Sequence, residues 1–95
     1  MINETAVTEA ADRAIEMGSG MAFIYQKANG DVEERRIIPL KTETTKDGNV
    51  IIRSFDKDRN ALRSWRVDRV FSDSIAYFDP KEMNPEEDIN ETLLS

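Results

Sequence analysis

The sequence contains no cysteine and no histidine. The first absence excludes disulfides, thiolate nucleophiles and thiolate metal sites. The second removes the commonest metal ligand and the usual general base. A catalytic centre would have to be built from carboxylates, lysine, tyrosine or hydroxyls. There is no glycine-rich phosphate loop and no nucleophile motif. Asp56 and Asp58 flank a polar turn and have the chemistry to hold Mg²⁺, but acids in such turns are ordinarily just solvated. The expectation is a protein that is not an enzyme and carries no cofactor and no metal. Long apolar runs are missing too. The longest is Met21–Ile24, against roughly 20 residues for a membrane-spanning helix. Met1 to Ala11 includes Glu4 and Glu9 and no apolar stretch, so it does not read as a signal peptide. No membrane association is expected, and the cytoplasm is the default compartment.

What is present is charge. Of the 95 residues 34% are charged, and the net charge is −6. The length fits one small domain with short extensions. An acidic chain is at first sight a poor partner for a polyphosphate.

The chain opens with a helix. Val7, Ala10, Ala11, Ala14 and Ile15 follow the i, i+3, i+4, i+7, i+8 pattern of one buried face. Asn3 or Thr5 suits the N-cap, and Gly18 suits a left-handed C-cap. Strand-type segments follow. Met21–Ala28 is rich in β-formers, and Asn29-Gly30 is a strong hairpin signal. Val32–Thr44 is the second strand, in which Pro39 marks an edge, a bend or a bulge. Lys46-Asp47-Gly48 turns the chain into Asn49–Phe55. Asp56–Asn60 is a polar turn of hairpin length. Ala61–Val70 reads as the fourth strand and Ser74–Phe78 as a short fifth. No helical pattern separates the strands, so the pattern predicts a small antiparallel barrel or a strongly bent sheet. The tail from Asp79 holds six acids and one lysine. It reads as a disordered acidic extension or, alternatively, as a short helix from Pro85 to Leu94.

Charge is unevenly spread. Residues 1–21 are net −3 and residues 73–95 net −6, whereas residues 22–72 are net +3. Seven of the bases in that middle region are arginines: 35, 36, 53, 59, 63, 66 and 69. Arginine offers a planar fork of donors that matches phosphate or carboxylate. In the fourth strand a strict two-residue period puts Arg63, Trp65, Val67 and Arg69 on one face. The other face would carry Leu62, Ser64, Arg66, Asp68 and Val70. Arginine and apolar residues thus mix on both faces. Either a register shift intervenes, or arginines line a groove beside the core. The plainer alternative has Arg66 paired with Asp68 and the others solvated.

Residues 10–70 resemble the WYL domain of bacterial transcription regulators and of CRISPR-associated or phage-defence proteins. The resemblance rests on the Ala10–Ile15 helix, the Phe23-Ile24-Tyr25 strand and Arg36-Ile37-Ile38-Pro39-Leu40. It continues with Gly48 before the third strand and the closing Arg63-Ser64-Trp65-Arg66-Val67-Asp68-Arg69-Val70. The name-giving Trp-Tyr-Leu is replaced by Val50-Ile51-Ile52, so two rings are lost. The resemblance implies a mainly β fold: a small SH3/Sm-like five-stranded antiparallel barrel with one N-terminal α-helix and a disordered acidic C-terminal tail. The helix and linker would occupy 1–20, the barrel 21–78 and the tail 79–95. It also implies a non-catalytic regulatory module that binds single-stranded nucleic acid or a nucleotide in an arginine-lined pocket. The positions matching that pocket are Tyr25, Arg36, Arg63, Arg66 and Arg69. Tyr25 reads equally well as a core ring, and Trp65 better as core than as a stacking platform. Members usually carry a winged helix-turn-helix, for which residues 1–20 leave no room, so the expectation is a stand-alone module or a phage or defence accessory regulator. The alternative is an SH3-like module that modulates a partner protein without binding nucleic acid.

Overall fold

The computed structural model describes residues 2–83. Helix α1 spans Glu4–Met17. The Asn3 side chain accepts a hydrogen bond from the Ala6 amide at 3.1 Å and so caps its first turn. Gly18 ends it at φ 65, a left-handed conformation that favours glycine. Val7, Ala10, Ala11 and Ala14 form its buried stripe, as the spacing predicts.

Five strands follow: β1 (Gly20–Gln26), β2 (Val32–Thr44), β3 (Val50–Asp56), β4 (Ala61–Arg66) and β5 (Ala76–Phe78). They form a single antiparallel sheet in the order β4-β3-β2-β1-β5. The fold is thus mainly β with one N-terminal helix. Pro39 sits beside a register shift in the β2–β3 pairing, between Pro39 and Lys41. That is the bulge a mid-strand proline requires, because proline cannot donate to the ladder.

The fourth strand is shorter than its sequence suggests. It leaves the sheet after Arg66, and Val67–Arg69 forms a 3-10 turn. The reason is burial. Val67 and Val70 are both fully buried, yet a continuous strand would point them to opposite faces. A 3-10 turn eclipses positions three apart and sends both inward. Val70 then bridges to Tyr25 on the free edge of β1, which bends the sheet back on itself. The fifth strand is also trimmed. Ser74 lies in the preceding 3-10 turn Ser72–Ser74, where its hydroxyl accepts from the Ile24 amide at 2.8 Å.

The core lies between α1 and the concave face of the sheet. Met21, Phe23, Ile37, Ile52, Trp65, Val67 and Val70 meet the helix stripe there. The expected acidic tail, disordered or helical, falls on residues 79–95. Pro80–Met83 is a short 3-10 helix, and residues 84–95 lie outside the described residues.

Candidate functional site

Strand pairing divides the concave face into two ends. Met21, Phe23 and Tyr25 alternate inward on β1. Their partners on β2 are Ile37, Arg35 and Glu33, and directly opposed residues share a face. Ile52, Ser54 and Asp56 face Trp65, Arg63 and Ala61 across β3 and β4. Next to the helix this face is apolar. Towards the 27–31 and 56–60 turns it becomes polar and charged, and Trp65 stands at the boundary.

Trp65 organises that end. Its indole N–H donates to the Ser54 hydroxyl at 2.8 Å, and that hydroxyl donates to the Arg63 carbonyl at 3.2 Å. The Tyr25 ring meets the indole edge-on at 5.0 Å, as does Phe23 at 5.9 Å. Two guanidinium groups lie over the indole, Arg63 at 4.9 Å and Arg35 at 5.8 Å, in the range of a cation–π contact. Trp65 itself is 2% exposed. It is therefore a support for the arginines rather than a surface on which a base stacks.

The arginines differ in what already occupies them. Arg35 is pinned to Glu33 at 2.6 Å. Arg36, opposite Ala22, lies on the other face of the sheet and pairs with Asp58 at 2.8 Å. Arg53 bonds the Glu43 carboxylate and the Ser64 hydroxyl. Arg66 grips Asp68 through Nε at 3.0 Å and Nη2 at 2.6 Å, and reaches the Asn49 side chain at 3.2 Å. Its amide donates to the Tyr25 hydroxyl at 3.3 Å. Arg69, half-buried in the 3-10 turn, acts on Asp68 through its charge. Arg63 meets the indole with no carboxylate bonded to it. Its side chain is 38% exposed, its ion-pair contact among the described residues is Asp56 at 3.9 Å, and its guanidinium donates no hydrogen bond there.

These pairings shift the carboxylates. The Arg66 hydrogen bond, opposed by burial, holds Asp68 below its ordinary value and raises Arg66 in turn. Burial pushes Glu33 up, but hydrogen bonds from Lys27 and Arg35 outweigh it and leave the group lowered. The Arg53 bond lowers Glu43. In the 56–60 turn, Asp56 Oδ1 accepts from the amides of Asp58 at 3.0 Å and Arg59 at 3.4 Å. The two aspartates that looked like cation ligands thus cap a turn and pair with Arg36.

Of the five positions singled out from sequence, the structure brings Tyr25 and Arg63 together at Trp65. Arg66 reaches Tyr25 only through its backbone. Arg36 lies on the opposite face, and Arg69 beyond the end of β4. Sequence reasoning passed over Arg35, and the turn signal points away from it. A two-residue Asn29-Gly30 turn would pair Phe23 with Arg36, whereas the observed loop has three residues, Lys27 bonding Asp31, and this one-residue shift sets Phe23 opposite Arg35.

The family model for the WYL domain matches residues 6–73, and the chain belongs to that family. No curated protein matches the sequence. Among solved structures, proteasome accessory factor B/C (PafBC) of Arthrobacter aurescens superposes with a TM-score of 0.69 at 24% identity. The match covers 78% of this chain and 11% of that one. The likeness is one of fold, and the chain spans only a small part of that protein.

Proposed function

We propose that this chain is a non-catalytic regulatory module, working in the cytoplasm, that binds single-stranded nucleic acid or a nucleotide-type anion, with Arg63 as the central contact. One observation carries the reading. Arg63 lies over Trp65 with its fork of donors unspent, while Arg35, Arg36, Arg53 and Arg66 are each hydrogen-bonded to a carboxylate. A guanidinium held by an indole face has already lost much of its rotational freedom, so a phosphate that meets it costs little further ordering. Half-buried Tyr25 is the neighbouring ring. Arg36, Arg66 and Arg69 supply surrounding positive potential, partly cancelled by their carboxylates. Membership of the WYL family supports the regulatory part of the reading, because the family looks like a set of sensor modules acting on partners.

Fluorescence anisotropy with a short thymidine oligonucleotide at low salt tests it. Binding is expected in the range of about 1–100 µM and to weaken steeply with salt. Arg63→Ala should weaken it by about tenfold, the effect of losing one charge-assisted contact. Binding unchanged in that variant would overturn the assignment.

A second reading, an SH3-like protein-interaction module, draws on Leu62 and Leu40. They are 74% and 51% exposed and line a cleft with Arg53 and Arg63. A stoichiometric protein partner that survives nuclease treatment, together with no oligonucleotide binding, would favour it.

A further inference from the structure

Asp56 is the one fully buried carboxylate among the described residues, at 0% exposure. Its two oxygens do different things. Oδ1 accepts from two turn amides, those of Asp58 and Arg59. Oδ2 has no hydrogen-bond partner, although an ionised carboxylate out of water is expected to be fully satisfied. The nearest cation to it is Arg63 Nη1 at 3.9 Å, close enough for charge attraction and too far for a hydrogen bond. Arg63 is in turn drawn towards Trp65 at 4.9 Å.

We infer that Asp56 is a built-in competitor for the anion that Arg63 receives. The inference rests on the reading of Arg63 given above and concerns the regulation of that site. In the free protein the buried carboxylate offsets the Arg63 charge without consuming its donors. An arriving phosphate oxygen accepts the hydrogen bonds that Arg63 does not donate to Oδ2, and it must do so against the repulsion of the Asp56 charge. Asp56 therefore sets a threshold: a single weak anion is rejected, and a ligand with several phosphates, as in a polynucleotide, is retained through its other contacts. Because Oδ1 caps the turn that carries Asp58, the same carboxylate ties the state of Arg63 to the Arg36–Asp58 pair.

The discriminating variant is Asp56→Asn, whose carboxamide oxygen retains the turn cap while the charge is lost. The full chain is titrated with the thymidine oligonucleotide and, separately, with inorganic phosphate. D56N is expected to bind the oligonucleotide about tenfold tighter than wild type, the scale of one charge at this distance in a partly screened site. It should also gain measurable phosphate binding. The gain must vanish in an Arg63→Ala background, since additivity there would mean that Asp56 acts elsewhere. A measurement on the unmodified protein stands beside the variant. During oligonucleotide titration the Asp56 side-chain carboxyl carbon resonance should shift with the same midpoint as the Trp65 indole signal. Wild-type binding with D56N unchanged or weaker, or with an Asp56 resonance that does not move, overturns this inference and leaves the reading of Arg63 intact. Absence of binding by wild type and D56N alike overturns both.

Discussion

Ser54 occupies a small volume and has a large effect on how this end of the sheet is held. It is 1% exposed, and its hydroxyl serves both the Trp65 indole and the Arg63 carbonyl. Ser54→Ala leaves a buried N–H unpaired, a loss of about 1–3 kcal/mol, to be read in a denaturant titration. The same substitution frees the indole to rotate, so Arg63 should lose its support and oligonucleotide binding should weaken in parallel. Glu33 makes a different prediction, for acid. Its carboxyl is lowered from the ordinary 4.5, so above that value it is ionised in both folded and unfolded chains and its pairs contribute fully. As pH falls, the unfolded chain takes up its proton first, and the contribution is lost as pH passes through the depressed folded value. Glu33→Gln should therefore flatten the decline of the denaturation midpoint between about pH 5 and pH 3 and change little near pH 7. The effect will be small, because partly solvated ion pairs contribute about 1 kcal/mol at most. An unaltered acid limb in the variant would show that Asp68 and other carboxylates carry it instead.

At the scale of elements, β5 is the most vulnerable part of the sheet. It has three residues and, among the described residues, pairs only with Gly20, Met21 and Ala22 of β1. A Cβ at Gly20 would come within 2.0 Å of the Phe78 ring. Gly20→Ala should push that ring aside and loosen β5. Hydrogen exchange is expected to speed at β5 and at its partner amides, while amides between β2 and β3 keep their protection. Equal acceleration across the whole sheet would instead indicate global destabilisation. The helix and the central hairpins were legible in the sequence because their determinants are local: the Asn3 cap, Gly18, Asn29-Gly30 and Asp47-Gly48. The bounds of β2 follow from the turns at either side of it. The end of β4 was not legible. An unbroken run of strand-forming residues continues through Val70, and only the need to bury both Val67 and Val70 against the helix breaks it.

For the molecule as a whole, the net charge of −6 conceals a strand region at +3. Residues 84–95 contribute four acids and no base. Removing them cuts the repulsion that an approaching polyanion meets. The truncated protein should associate with the oligonucleotide faster at low salt. The difference should vanish towards about 1 M salt, where the screening length is only about 3 Å. Rates that do not differ at low salt would mean that the local potential of the strand region governs approach by itself.

Local sequence preferences suffice for the kind of protein: a helix, then antiparallel strands joined by glycine and asparagine turns, with a closing arginine-rich segment of WYL type. Those features follow from near-neighbour preferences along the chain. Which arginine meets the indole with no carboxylate bonded to it follows from tertiary contacts alone. Strand register places Arg35 and Arg63 on the Trp65 face and Arg36 on the other. The pairing of distant strands also decides which carboxylate each arginine meets. Arg66 finds Asp68 two residues away, a pairing visible in the sequence. Arg63, seven residues from Asp56, reaches it only because the 56–60 turn folds β4 back along β3 and buries that carboxylate beneath it.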